Sequence, residues 1–165
     1  MNYAEIKKFD IANAPGICTT IFFSGCTHRC EGCFNQVAQD FNYGQPFTPE
    51  VQDKFLEYAK NSQIDNICIL GGEPLQQNLD KMYKFIKKLK KQTKKPIWLW
   101  TGYTWEQLVN DSKRFNIIKN VDILVDGKFE ISQRDLSLRY RGSHNQRVID
   151  VKATIKNNFV YLLNK

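Results

Sequence analysis

The run Thr19-Thr20-Ile21-Phe22-Phe23-Ser24, continued by Gly25-Cys26-Thr27-His28-Arg29-Cys30-Glu31-Gly32-Cys33, decides how this chain is read. Its first half is β-branched and aromatic, the composition of a buried strand. Its second half sets three cysteines in a C-x3-C-x2-C spacing, so three thiolates can gather directly after a strand. A cubane iron–sulfur cluster takes four cysteine ligands. Three leave one metal position open, and open positions are where metal sites do chemistry.

The same grammar repeats downstream. Thr48-Pro49-Glu50-Val51 opens a helix, with Thr48 as N-cap and Pro49 in the first turn, running to about Asn61. Asn66 to Leu70 is a short apolar strand ending in Gly71-Gly72-Glu73-Pro74. A lysine-rich helix over Lys81 to Lys95 follows, with Met82, Phe85, Ile86 and Leu89 as its buried stripe. Pro96 stops it, and Ile97 to Trp100 form the next strand. Gly102-Tyr103-Thr104 leads into a helix over Trp105 to Asn110. Val121 to Val125 and Val148 to Val151 complete the strands, the former ending in Asp126-Gly127-Lys128.

Apolar strands separated by helices predict parallel βα units with both sheet faces covered. A complete eightfold barrel takes about 250 residues, and this chain has 165. The expected fold is therefore α/β: an incomplete, open-sided (βα) barrel of mostly parallel strands, one domain over residues 1–165. Its active site belongs at the carboxyl ends of the strands. The cysteine loop, the Gly-Gly-Glu-Pro turn, Thr101-Gly102-Tyr103 and Asp126-Gly127-Lys128 all fall at that rim.

Composition narrows the function. Five cysteines, an odd number, argue against a disulfide framework. Cys18 and Cys68 sit in apolar strands and read as small core hydrophobes. The net charge of +7 admits nucleic acid or an acidic protein partner. The lysines of Lys81 to Lys95 lack interleaved aromatic residues on the wet face, so the expectation is no nucleic acid. No apolar run is long enough to span a bilayer, and Met1 to Asp10 lacks the unbroken apolar stretch of a secretory signal. The expectation is no membrane and a cytoplasmic location. For the cysteine loop itself, a Cys3His zinc site using His28 and a Cys30–Cys33 redox pair stand beside the incomplete cluster.

The triad, followed one strand later by the Gly-Gly-Glu-Pro turn, resembles the radical S-adenosylmethionine enzymes. That resemblance implies that Cys26, Cys30 and Cys33 hold a [4Fe–4S] cluster. The fourth iron is chelated by the amino and carboxylate groups of S-adenosyl-L-methionine, whose reductive cleavage yields a 5′-deoxyadenosyl radical. It also implies that Gly71, Gly72, Glu73 and Pro74 hold the cofactor's ammonium group. The family often has an aromatic residue just before the third cysteine. Here that position is Gly32, so a Gly32 backbone contact or stacking on Phe34 takes over the adenine. Thr101, Asp126 and Lys128 sit where strands deliver groups to the rim, and the resemblance places Asp126 or Lys128 near the methionine end or ribose of the cofactor, with Lys128 as partner of its carboxylate. Arg139, Arg141 and Arg147 grip either that carboxylate or a protein partner, or form a solvated basic loop.

Longer segments narrow the resemblance. Gly25 to Asn35, Trp100 to Glu106, Asp122 to Phe129 and Arg139 to Asp150 are similar to the activating proteins of anaerobic ribonucleoside-triphosphate reductase. The resemblance implies hydrogen abstraction from the Cα of a glycine in the reductase large subunit, leaving a glycyl radical. It further implies flavodoxin or ferredoxin as electron donor. The rival readings are a radical enzyme acting on another glycyl-radical enzyme or a small metabolite, and a zinc-bearing nucleic-acid-binding module.

Overall fold

The structure is a computed structural model that describes residues 1–163. Seven strands form one sheet: β1 (Asn2–Asp10), β2 (Cys18–Ser24), β3 (Gln45–Pro46), β4 (Asn66–Gly71), β5 (Ile97–Trp100), β6 (Ile123–Asp126) and β7 (Arg147–Asp150). Their order across it is β3-β1-β2-β4-β5-β6-β7. The central strands β2, β4, β5 and β6 are parallel. β1, β3 and β7 pair antiparallel at the margins.

Among the described residues four α-helices lie between strands, α1 (Pro49–Lys60), α2 (Leu79–Thr93), α3 (Trp105–Val109) and α4 (Ser112–Ile118), and a fifth, α5 (Val151–Asn157), follows β7. Local chemistry sets their ends. Thr48 Oγ1 accepts from the Val51 N–H at 3.4 Å, and Pro49 occupies the first turn of α1. Asn78 caps α2, which Lys94 ends in the left-handed region at φ 58. Thr104 and Gln107 form a capping box on α3.

Strand alternation separates two apolar surfaces. Ile21, Phe23, Ile67, Ile69, Ile97, Leu99 and Leu124 share a core with Phe55, Met82, Phe85, Leu108 and Ile117 of the helices. The opposite face carries a smaller cluster of Cys18, Phe22, Cys68, Leu70, Trp98, Val125 and Val148. That second face is covered by the segment 127–146. The Tyr140 ring meets Trp98 at 5.1 Å, and Trp100 Nε1 donates to the Tyr140 carbonyl at 2.8 Å. Among the described residues no helix is long and apolar enough to cross a membrane.

The sheet departs from the expected parallel succession at both ends. β1 was not visible as a strand, and β7 runs antiparallel to β6. The segment 127–146 holds a 3-10 turn, Ile131–Gln133, in place of a crossover helix, so the chain comes back antiparallel beside β6. Val151 belongs to α5, and Val121 precedes β6. Helices cover one face and the loop segment the other.

Arg147 ties this end of the sheet together. Its guanidinium pairs with Glu106 at 3.0 and 2.8 Å and with Asp126 at 2.9 Å. Asp126 is 1% exposed and also accepts the Trp105 N–H at 2.7 Å. The Arg147→Met variant leaves a buried carboxylate uncompensated and should cost about 3–5 kcal/mol. Glu106→Gln should cost about 1 kcal/mol or less, because that side chain is 60% exposed. The Arg147 guanidinium holds the Glu106 carboxyl at about 2, below its ordinary 4.5. This stabilisation is complete above 4.5 and is lost as pH falls from there towards about 2. Urea unfolding across that range should show a steeper loss in the parent protein than in Arg147→Met, because Asp10, Asp111 and Asp122, also held low by partners other than Arg147, titrate in both.

Candidate functional site

The hydrogen-bond ladder between β2 and β4 continues beyond the strands. The Gly72 N–H donates to the Phe23 carbonyl at 2.7 Å and the Glu73 N–H to the Gly25 carbonyl at 2.8 Å. The 3-10 turn Gln36–Gln39 closes from the other side, with Gly25 N–H on the Ala38 carbonyl at 2.7 Å and Cys26 N–H on the Gln39 carbonyl at 3.0 Å. Buried Gln77 adds a brace, its Nε2 donating to the carbonyls of Ser24 at 3.0 Å and Glu73 at 3.2 Å. The cysteine loop and the Gly-Gly-Glu-Pro turn are thereby one backbone block. A Cβ at Gly72 would lie 2.5 Å from the Ala38 carbonyl oxygen and 2.6 Å from that of Gly25. One at Gly71, where φ is +125°, would lie 2.2 Å from the Phe23 backbone. The two glycines serve the approach of chain to chain before any approach to a ligand.

Above this block lies a cavity of about 330 Å³ where the four rim turns meet. Cys26, Cys30 and Cys33 line it with His28; Gly71, Gly72, Thr101, Gly102, Gly127 and Lys128 line it from the following turns. Leu70, Trp100, Tyr140 and Arg141 close it towards the sheet and the segment 127–146. Phe34 stands on its wall and is 84% exposed. Thr101 is buried, and its Oγ1 accepts the Tyr103 N–H at 3.2 Å. Burial pushes the Cys26 and Cys30 thiols up, so metal uptake there releases protons.

Four of the sequence candidates do not face the cavity. Gly32 adopts φ +70°, and a Cβ there would lie 2.7 Å from Ile131 Cδ1. The positive φ calls for glycine where the family often has an aromatic residue, while the Ile131 tip, on an exposed side chain, is free to shift. Pro74 is buried at the head of the 3-10 turn Pro74–Gln76. Glu73 is fully buried, its carboxylate accepting the Leu75 and Gly102 N–H groups at 2.9 and 2.7 Å. Asp126 is engaged by Arg147 and Trp105. The three arginines part company too. Arg147 is committed to carboxylates and Arg139 is exposed. Arg141 lines the cavity, with Nη1 on the Gln146 carbonyl at 2.6 Å and Nε buried without a partner among the described residues. Gln76, Gln77 and Tyr140, which position these groups, carried no signal in the sequence. A buried glutamine or a tyrosine whose carbonyl is the working atom looks like any other.

The donor set suits an iron–sulfur cluster. Among the described residues no three His, Cys, Asp or Glu side chains are grouped closely enough to hold one metal ion. On a cluster, each thiolate takes a different iron, so the three cysteines need only surround a volume. His28 Nε2 sits 2.9 Å from Glu73 Oε2, turned to a carboxylate. Two cations, Lys128 and Arg141, line the cavity, and no carboxylate does among the described residues. That charge favours an anionic occupant, such as a thiolate-bound cluster with a carboxylate-bearing ligand. Cys18 and Cys68 are buried in the second core.

These features define a protein built to hold one iron–sulfur cluster, and a family model for a 4Fe-4S single cluster domain matches residues 12–149. The chain is 39% identical over 150 residues to the anaerobic ribonucleoside-triphosphate reductase-activating protein of Pasteurella multocida, covering 88% of this chain and 95% of that protein. It is 38% identical to the protein of that name from Escherichia coli strain K12, covering 90% and 97%. The relative of the same name from Enterobacteria phage T4 is 37% identical, with 90% and 93% covered. The chain belongs to the family of anaerobic ribonucleoside-triphosphate reductase-activating proteins.

Gly72→Ala tests whether the block carries the site. Its Cβ meets two backbone carbonyls that have nowhere to go. Iron content after anaerobic reconstitution should fall several-fold, with the far-UV circular dichroism of the helices retained.

Proposed function

We propose that this chain is a radical S-adenosylmethionine enzyme, one domain over residues 1–165, that installs a glycyl radical on an anaerobic ribonucleoside-triphosphate reductase. The observation that carries this reading is the convergence of three cysteines, a Gly-Gly turn and two cations on one cavity open at its rim. Cys26, Cys30 and Cys33 would hold a [4Fe–4S] cluster. Bound there, the cluster supplies one electron to S-adenosyl-L-methionine, whose cleavage gives a 5′-deoxyadenosyl radical able to take a hydrogen from a glycine Cα. Carbonyls at Gly71 and Gly72 receive the cofactor's ammonium group. Lys128 and Arg141 offer cations to its carboxylate, Thr101 lies on the wall between them, and Phe34 offers an exposed ring for adenine.

The residues' own work is binding and exclusion. Trp100, Tyr140 and Leu70 wall the site from water on the sheet side. The sheet, read as an incomplete barrel open between its edges, leaves a side through which a glycine-bearing loop of the large subunit enters. Transfer needs the reacting atoms about 3–3.5 Å apart, which an open mouth permits for a macromolecular substrate. The reductant is a flavodoxin or ferredoxin, whose acidic surface suits exposed Lys81, Lys84, Lys87 and Lys91 of α2. We place the reaction in the cytoplasm, where thiols remain reduced.

Anaerobic reconstitution should give about four irons per chain and a reduced-state paramagnetic signal that changes on adding S-adenosyl-L-methionine. Mixing with the reductase large subunit should then yield a glycyl-radical doublet. Stoichiometric zinc in place of iron would overturn the reading. Single Ser substitutions at Cys26, Cys30 or Cys33 should abolish cofactor cleavage, whereas Ala at Cys18 or Cys68 should preserve it.

A further inference from the structure

We propose that Glu73 is a positioning residue and not the cofactor's ammonium ligand: with His28, its buried carboxylate latches the cysteine loop to the turns after β4 and β5. This rests on the reading above only in that the latched loop is the one assigned to the cluster.

Three groups from three turns converge on the carboxylate. Leu75 N–H comes from its own turn, Gly102 N–H from the turn after β5, and His28 Nε2 from between the first two cysteines. A carboxylate accepts hydrogen bonds, so the His28 Nε2–H donates. Three donors on a fully buried carboxylate meet its desolvation cost and leave it turned into the protein. The cavity wall next to it is Gly71 and Gly72, not Glu73.

Independent packing supports the latch. A Cβ at Gly102 would lie 2.4 Å from His28 Cδ2 and 2.7 Å from its Nε2, so glycine there is what gives the imidazole room. The Tyr103 ring meets His28 edge-on at 4.7 Å, and Arg114 lies over Tyr103 at 4.8 Å. A second bridge runs parallel to the first. Gln76 Oε1 accepts the Thr27 N–H at 2.7 Å while its Nε2 donates to the Tyr103 hydroxyl at 3.1 Å. Both bridges start in the turn after β4, grip the cysteine loop and lean on the turn after β5.

Amide hydrogen exchange on the metal-free protein tests this without any cluster. Glu73→Gln, His28→Ala and Gly102→Ala should each speed exchange at Thr27 to Arg29 by about tenfold or more, the scale of one hydrogen bond to a charged group. Exchange in the β4–β5 ladder at Ile67 and Ile69 should stay unchanged. The Glu73→Gln, His28→Ala double variant should be no faster than either single, and His28→Gln, which keeps a donor, should restore protection. Iron-loaded Glu73→Gln should lose iron to a chelator faster yet bind S-adenosyl-L-methionine within about threefold of the parent, short of the tenfold that 1.4 kcal/mol represents. Unchanged exchange in the single variants, or additive effects in the double, overturns the latch. So does a Glu73→Gln protein that keeps its iron and binds the cofactor more than tenfold weaker. A parent protein that takes up no iron defeats the proposed function but leaves the exchange result to decide the latch.

Discussion

Two parallel strands that keep hydrogen-bonding after they have stopped being strands hold this molecule's site together. The β2–β4 ladder runs on from Phe23 into Gly25 and from Gly71 into Glu73. Parallel strands finish at the same edge, so the loop after one is delivered beside the turn after the other. The cysteines therefore do not rely on a flexible loop finding its place. Their first residue is already part of a sheet edge, braced by Gln77 beneath and the 3-10 turn Gln36–Gln39 alongside. β5 and β6 extend the same edge, bringing Thr101 and Lys128 to the opposite wall.

The division of labour among polar residues follows from burial. Charged groups that the sheet swallows, Glu73 and Asp126, are saturated by backbone N–H groups and by His28 or Arg147. Groups that remain half-open to the cavity, Lys128 and Arg141, have charge to spare. A pocket with cations and thiols on its wall accommodates an anionic occupant at little electrostatic cost. One lined by the two buried carboxylates would not. Conspicuous charges in the sequence thus sort into fasteners and cavity-facing groups according to which side of the wall they fall on.

Much of this was legible in the chain itself. The four strand ends carried turn chemistry distinctive enough to predict that they share a rim, and the apolar runs at β2, β4 and β5 were long enough to find. β1 escaped because Asn2 to Asp10 alternates on a largely half-exposed face, a pattern weak without a partner strand. The direction of β7 escaped because nothing in Arg147 to Asp150 encodes it; only the lack of a helix in 127–146 does. The site was legible by residue type and not by orientation. Cys26, Cys30 and Cys33 line the cavity, whereas Glu73, Pro74, Gly32 and Asp126 look the same in one dimension whether they face a ligand or a neighbour. The carboxylates differ in which donors lie beside them in space, and all but the Leu75 N–H on Glu73 come from 21 to 45 residues away.

The segment 127–146 stands where a crossover helix would otherwise cover the second face of the sheet. It meets the sheet chiefly through Tyr140 on the two tryptophans and is otherwise held by bonds within itself: Arg141 on the Gln146 carbonyl, Gln146 on the Gly127 carbonyl and Asn145 on the Lys128 carbonyl. Between the anchors, Leu136 and Arg139 project outward. Substitutions at those two positions disturb neither hydrophobic cluster nor the hydrogen bonds beneath the cysteines. The outer skin of the site is in this way uncoupled from its foundation: over generations the skin can drift in step with whatever surface it meets, while the chemistry below it stays fixed.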